Sequence, residues 1–227
     1  MVNNFNQWDG KVLPPSAFAH VVLRTNNMPR MKAFYIEFLG ARVVHENDSL
    51  TFITYDDEHH RLALVQHPDL SPKVKASCGV DHFAYAYSTL SDLLLSYRHR
   101  QKSGMLPFWS VNHGPTISLY YKDPDGNVIE LQADNFDTNQ ETDAFMKSAS
   151  FAENPVGTDV DPEDLIRRLE SGESEVVLKR RVEIGPSPVG TDVDPEDLIR
   201  RLESGESEVV LKRRVEIGPR GKGPGSD

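Results

Sequence analysis

The chain has 227 residues, of which 38% are hydrophobic and 26% charged, and its formal net charge is −10. This length can bury a core, and the negative charge argues against nucleic-acid or anionic-membrane partners. One cysteine, Cys78, excludes an intrachain disulfide. The N-terminus has no signal-peptide pattern, and no apolar segment is long enough to span a membrane. We therefore expect a cytoplasmic protein that acts on a small molecule.

After an N-terminal extension, residues 1–14, the first predicted strand is "AFAHVVLRT", which contains His20. A helix is predicted over "MPRMKAFYIEFLGA", because Pro29 stands near its start and Gly40 at its close. Three runs typical of strands follow, and they read "RVVHE", "LTFITYD" and "HRLALVQH". The first module, residues 15–70, therefore has the order β-α-β-β-β.

The second module, residues 78–135, repeats this order. Its first predicted strand, "GVDHFAYAYS", contains His82, and its helix begins at Ser/Thr capping residues and ends at Gly104. The strand-like runs "PFWSVN", "TISLYYKD" and "NVIELQAD" follow. Two modules that are each too small to bury a sheet predict one α+β domain over residues 15–140.

Residues 141–227 are interpreted as a C-terminal appendage. Within it, residues 155–186 and 188–219 are identical, which indicates a recent tandem duplication or a cloning artefact rather than a solenoid. In each copy a helix is predicted to begin after an aspartate, Asp161 or Asp194, and to end before a glycine, followed by a strand-like run.

Alignment of the two modules places His20 on His82, and Glu130 opposite Leu64. Each histidine alone is more often a core or surface residue, and a strand glutamate is more often solvated. The three together favour a metal site, since two imidazoles and one carboxylate leave open positions on a non-haem Fe(II) ion. Without thiolate ligands, structural zinc is disfavoured.

Through "HVVLRT", "VDHFAYA" and "HGPTISLYYKDPDGNVIELQAD", residues 15–135 resemble the vicinal oxygen chelate superfamily, and in particular its extradiol catechol dioxygenase branch. The resemblance implies that paired modules form a cupped mixed sheet around a metal held by His20, His82 and Glu130. It implies Fe(II), with Mn(II) or another divalent ion as the alternative. Glyoxalases of this superfamily place a fourth ligand where Leu64 stands, so their site is disfavoured.

The resemblance also implies catalytic roles for two further residues. Tyr120 matches a tyrosine whose hydroxyl points towards the substrate, whereas Tyr121 should face the other side of its strand. His113 resembles a histidine that contacts the substrate hydroxyl or assists proton transfer, and an ordinary loop histidine is the alternative reading of that position.

The leading hypothesis is an Fe(II)-dependent extradiol-type dioxygenase that takes an aromatic diol and dioxygen. A redox-neutral isomerase, epimerase or lyase on the same fold is one alternative, and a non-catalytic aromatic-binding protein is another. No nucleotide-binding glycine loop is present, so no nucleotide cofactor is expected. A homodimer is consistent with the resemblance.

Overall fold

A computed structural model describes residues 10–74 and 77–181. They divide into an N-terminal unit, residues 10–72 with 123–125, and a C-terminal unit, the remaining described residues. Each unit carries the order strand, helix and three strands, so the predicted α+β fold of two βαβββ modules is confirmed. Residues 1–9 of the predicted extension and the whole second repeat lie outside the described residues.

The N-terminal unit has one helix and a four-stranded sheet in the order β1-β4-β3-β2. β1 is parallel to β4, and the other neighbours are antiparallel. The elements are β1 (Val21–Thr25), α1 (Met28–Leu39), β2 (Arg42–Glu46), β3 (Leu50–Thr54) and β4 (Leu62–Gln66).

Helix α1 begins and ends where the sequence predicts. The side chain of Asn27 accepts a hydrogen bond from the backbone N–H of Arg30, and Gly40 closes the helix with φ = 60°. Its buried side chains, Met31, Tyr35 and Phe38, form the core of this unit together with buried leucines of β4. Burial of these apolar groups holds the helix on the sheet.

The C-terminal unit has a five-stranded sheet in the order β5-β8-β7-β6-β9. β5 is parallel to β8, and every other pair is antiparallel. The elements are β5 (His82–Tyr87), α2 (Leu90–Lys102), β6 (Trp109–Asn112), β7 (Thr116–Lys122), β8 (Val128–Asp134), α3 (Asn139–Met146), α4 (Ala149–Glu153), β9 (Thr158–Asp159), α5 (Pro162–Glu170) and α6 (Glu175–Leu178).

The two faces of this sheet have different side chains, because successive strand residues point to opposite sides. On one face Leu119, Ile129 and Leu131 are fully buried. Tyr87 also lies on that face and accepts a hydrogen bond from Arg100 of α2, which places the helix there. The opposite face is left for the side chains of His82, Tyr120 and Glu130.

The first repeat is part of the C-terminal unit and packs against helix α2. Helix α5 begins after Asp161, whose side chain accepts from the backbone N–H of Glu163, and Gly172 follows the helix with φ = 93°. Glu163 accepts hydrogen bonds from three side chains of α2, namely those of Tyr97, Arg98 and Gln101. The helix predicted for this repeat is therefore confirmed.

Within the strand-like run predicted after Gly172, the structure has the short helix α6 at Glu175–Leu178, and residues 182–185 of that run lie outside the described residues. Glu175 accepts hydrogen bonds from the backbone N–H groups of Leu90 and Ser91, at the start of α2, and Leu178 is buried. Residues three apart share a face of a helix but lie on opposite faces of a strand. Only a helix lets the side chains of Glu175 and Leu178 point to the same side, towards the rest of the C-terminal unit.

Replacing Tyr97 with phenylalanine should remove a stabilising contact that depends on pH. Burial, followed by the hydrogen bond to Glu163, raises the pKa of Tyr97 from 10.0 to about 12. A raised folded-state pKa means that this contribution is complete below pH 10.0 and is lost as the pH rises through about 12. We expect the wild type to exceed Tyr97→Phe in unfolding free energy by on the order of 1 kcal/mol at neutral pH. Urea denaturation at rising pH should show this difference shrinking, and a constant difference would contradict it.

Among residues 10–74 and 77–181, no helix is long and apolar enough to cross a membrane.

Candidate active site

His82 and Glu130 meet on one face of the C-terminal sheet because β5 and β8 are parallel neighbours. His82 lies beside Val128, and Glu130 lies beside Ala84. The histidine and the glutamate are thus two residues apart in register and share a face. Nε2 of His82 is 3.0 Å from Oε2 of Glu130, and the glutamate is only 5% exposed. Glu130 is therefore not a solvated glutamate of an outer face.

This pair fits a divalent metal ion. Two ligand atoms that each lie about 2.1 Å from a metal ion and subtend a right angle are about 3.0 Å apart. The other ring nitrogen of His82, Nδ1, is 2.7 Å from the carboxylate of Asp81. A carboxylate on the far nitrogen orients a ligand histidine and leaves Nε2 for the metal. Within the described residues, no group of three or more His, Cys, Asp or Glu side chains has metal-binding geometry.

His20 lies in the N-terminal unit, immediately before β1. Its ring centroid is 4.4 Å from that of His60, whose ring stacks on Phe52 at 4.3 Å. The side chain of His20 thus belongs to a group of rings in its own unit, with the half-buried His60 and Phe52. Its role as a metal ligand remains a prediction.

Strand pairing changes one detail of the alignment between the modules. Glu130 is two residues beyond Val128, the partner of His82. In the first module Val21 pairs with Leu62, so His20 lies beside Arg61. The residue two positions beyond Arg61, which corresponds to Glu130, is Ala63 and not Leu64. Leu64 is fully buried and points to the other face of β4. Alanine has no metal-binding group, so the reason for disfavouring a fourth ligand is unchanged.

Tyr120 and His113 lie beside this pair. Tyr120 faces Glu130 across the antiparallel strands β7 and β8, and it is only 4% exposed. Its ring stands perpendicular to the ring of His82, with 5.4 Å between centroids. Its hydroxyl is 3.0 Å from Nε2 of His113. The structure therefore brings four of the five predicted site residues together.

The hydrogen bonds of His113 define its tautomer. Nδ1 is 2.5 Å from the carbonyl oxygen of Val156, which can only accept, so Nδ1 carries the proton. In the neutral ring Nε2 is then an acceptor, and the hydroxyl of Tyr120 donates to it. The result is a basic nitrogen directed at a phenol.

Burial affects both partners, and it favours their neutral forms. Burial is the main reason that the pKa of His113 lies below its ordinary value. Burial, followed by the charge of Glu130, raises the pKa of Tyr120 above its ordinary value. At neutral pH the tyrosine is a proton donor and the histidine is a proton acceptor.

Trp109 is part of this group and was missed by the sequence analysis. It pairs with Tyr120 across β6 and β7, and the two rings stack at 4.8 Å. It also contacts the ring of His113 edge-on at 5.6 Å. The two strands that carry Trp109 and Tyr120 were predicted, but their pairing register was not, so no signal in the sequence identified the two residues as neighbours.

An open depression of about 680 Å³ in the N-terminal unit is lined by Met28, Lys32, Glu46 and neighbouring residues. It contains none of the predicted site residues. The chemistry points to the polar face of the C-terminal sheet instead.

Residues 17–131 match the family model of the Glyoxalase/Bleomycin resistance protein/Dioxygenase superfamily. Biphenyl-2,3-diol 1,2-dioxygenase 2 of Rhodococcus globerulus is 45% identical over 156 residues, which cover 68% of this chain and 82% of that protein. Biphenyl-2,3-diol 1,2-dioxygenase 3 of the same organism is 41% identical over 165 residues, which cover 72% of this chain and 87% of that protein. The crystal structure of lactoylglutathione lyase from Agrobacterium tumefaciens matches 53% of this chain and 96% of that chain, with 21% identity and a TM-score of 0.44.

Proposed function

Because the chain belongs to the Glyoxalase/Bleomycin resistance protein/Dioxygenase superfamily, we propose that it is an Fe(II)-dependent extradiol-type dioxygenase that cleaves the ring of an aromatic diol. One observation carries this proposal. The His82–Glu130 pair, which fits a metal, lies on the same sheet face as a hydrogen-bonded acid and base, Tyr120 and His113. The two Rhodococcus relatives, named as dioxygenases of a diol, support it.

His82 and Glu130 would hold the metal with their facing atoms, and His20 is added as the third ligand on the alignment of the two modules and on the family resemblance. Fe(II) suits two imidazoles and one carboxylate, and Mn(II) is the alternative ion. When bound, the ion makes substrate hydroxyls more acidic and allows electron exchange between the substrate and dioxygen.

His113 and Tyr120 would manage the protons. Nε2 of His113, which accepts from the Tyr120 hydroxyl in this structure, would instead take a proton from a substrate hydroxyl once that hydroxyl replaces Tyr120 beside it, while Nδ1 stays bound to the carbonyl of Val156. Tyr120 keeps its proton at neutral pH and, with substrate bound, would turn that proton from His113 to an oxygen of the reacting group. Over the whole reaction, the ring C–C bond beside the two hydroxyl carbons breaks, and both atoms of dioxygen enter the product.

The substrate is proposed to be a catechol or a larger aromatic diol. Trp109 and Phe108 place aromatic surface beside Tyr120, with 4.8 Å and 6.4 Å between the ring centroids. Phe108 is exposed, and the ammonium of Lys122 lies 4.9 Å from its ring centre. Aromatic rings of this kind can stack on a substrate ring. The name of the relatives makes biphenyl-2,3-diol the first substrate to test.

The test is anaerobic loading of the full chain with Fe(II), metal analysis, and oxygen-electrode assays with catechol and biphenyl-2,3-diol. We expect oxygen uptake that equals substrate loss. His82→Ala should abolish both metal retention and uptake, because it removes a ligand. His99→Ala is the matched control, since His99 is exposed on α2, and it should change neither.

Three results would contradict the proposal in different ways. Bound metal without oxygen uptake on either diol would favour a redox-neutral isomerase, epimerase or lyase. A chain that binds aromatics but retains no metal would favour a non-catalytic binding protein. Uptake that survives in His82→Ala would remove His82 from the ligand set.

A further inference from the structure

The first repeat forms the edge of the sheet that carries the candidate site. Strand β9 of this repeat pairs with β6, so that Asp159 lies beside Val111 and Thr158 lies beside Asn112. His113 is the next residue after β6. The repeat is thus in contact with the base of the proposed reaction.

Residues of this segment hold His113 at both its ring and its backbone. The carbonyl of Val156 accepts from Nδ1 of the ring. The guanidinium of Arg181 donates to the carbonyl of His113 at 3.0 Å and to the carbonyl of Asn154 at 2.8 Å. A second nitrogen of Arg181 donates to the carbonyl of Ser150 at 3.0 Å. The side chain of Arg181, which follows β9 in the chain, therefore links His113 to Asn154 and Ser150, which precede β9.

Gly157 permits this close approach. A Cβ at this position would lie 2.2 Å from the carbonyl oxygen of Asn112 and 2.7 Å from Cα of His113. Real Cβ contacts are never this short, and φ is +104°, which L side chains rarely adopt. Any side chain at position 157 must push the segment away from His113.

The same segment also anchors the tryptophan beside Tyr120. The carboxylate of Asp159 accepts a hydrogen bond of 2.8 Å from Nε1 of Trp109. Trp109 in turn stacks on Tyr120. Both halves of the proposed acid–base pair are therefore supported from one stretch, residues 154–159.

We infer that residues 154–159 together with Arg181 are a positioning element, which sets the tautomer of His113 and fixes Trp109 against Tyr120. The carbonyl of Val156 keeps the proton on Nδ1, and the basic Nε2 is thereby presented towards Tyr120. The catalytic meaning of this element rests on the proposed function. The tautomer of His113 does not depend on the proposed function, because it follows from the hydrogen bond to the carbonyl of Val156.

The duplicated sequence supplies matched controls. Gly190 and Arg214 stand in the second copy in the same sequence context as Gly157 and Arg181 in the first. The variants are Gly157→Ala and Arg181→Gln, with Gly190→Ala and Arg214→Gln as controls. The double variant Gly157→Ala/Gly190→Ala removes the glycine from both copies, so that neither can supply the contact.

The first readout is the ¹⁵N spectrum of the histidine rings in the metal-free full chain, with His113 assigned through a His113→Gln variant. We expect a protonated Nδ1 in the wild type and in both controls. In Gly157→Ala or its double variant, and in Arg181→Gln, the signals should shift towards the other tautomer. Arg181→Gln adds no side-chain volume, so it tests the proposal even where an alanine at position 157 prevents folding.

The second readout is turnover of the iron-loaded protein. Loss of outer contacts to catalytic groups typically costs about 10- to 100-fold, so kcat should fall by that factor while metal content and KM stay near the wild-type values. Unchanged ¹⁵N signals in the folded double variant and in Arg181→Gln would overturn the inference, whatever the activity. A shifted tautomer in a protein whose wild type consumes no oxygen would instead reject the proposed function and leave the positioning element standing.

Discussion

Replacing Glu130 with alanine should abolish both metal binding and activity. The carboxylate faces Nε2 of His82 at 3.0 Å and is almost fully buried, and alanine has no atom that can bind a metal ion in its place. Loss of one of three proposed ligands should lower kcat/KM by roughly 1000-fold or more. Metal analysis after anaerobic Fe(II) loading and desalting, followed by oxygen uptake, measures both effects.

Asp134→Ala is the matched control for this variant. Asp134 is an exposed carboxylate at the end of the same strand, β8, and it should leave the metal content and the rate unchanged. A Glu130→Ala protein that keeps a full complement of iron would remove Glu130 from the ligand set. The buried carboxylate would then need another explanation.

Replacing Tyr120 with phenylalanine should leave the metal in place and slow turnover. The hydroxyl donates to His113 at 3.0 Å, and its raised pKa keeps it protonated at neutral pH. Proton transfer or donation by a positioned side chain contributes typically about 100-fold or more, so we expect kcat to fall by at least about 100-fold. Steady-state oxygen uptake with the metal content determined on the same sample separates this loss from a loss of iron.

Tyr121→Phe is the matched control, because it makes the same chemical change at the next residue and on the opposite face of β7. It should leave kcat within about threefold of the wild type. Equal rates for Tyr120→Phe and the wild type would exclude a catalytic role for the Tyr120 hydroxyl. Equal losses in both variants would indicate a general effect on folding.

Local signals in the sequence were sufficient for most secondary structure. Helix α1 ends at Gly40 and α5 begins after Asp161, as predicted, since capping and a left-handed glycine act over one turn of chain. The strand predicted after Gly172 is partly wrong, because contacts with α2 decide that stretch. Tertiary contacts override the strand propensity of two adjacent valines there.

The candidate site was predictable to the extent that it follows from strand alternation and from the family resemblance. His82, Glu130 and Tyr120 share a face because of strand pairing, and that pairing follows the predicted order of elements. The detailed register was not predictable, as the difference between Ala63 and Leu64 shows. A shift of one residue moves a side chain to the other face, and sequence alone does not specify register to that precision.

The sequence by itself predicted the two βαβββ modules, since these depend on periodicity and capping, and its motifs carried the resemblance to the superfamily. The residue types proposed for the metal site rest on the alignment of the modules and on that resemblance. Only the tertiary structure decided that Val156, Asp159 and Arg181 of the first repeat support His113 and Trp109. These contacts join residues more than 40 positions apart in the chain. They depend on backbone carbonyls and on one close approach at Gly157, and neither leaves a recognisable pattern in the sequence.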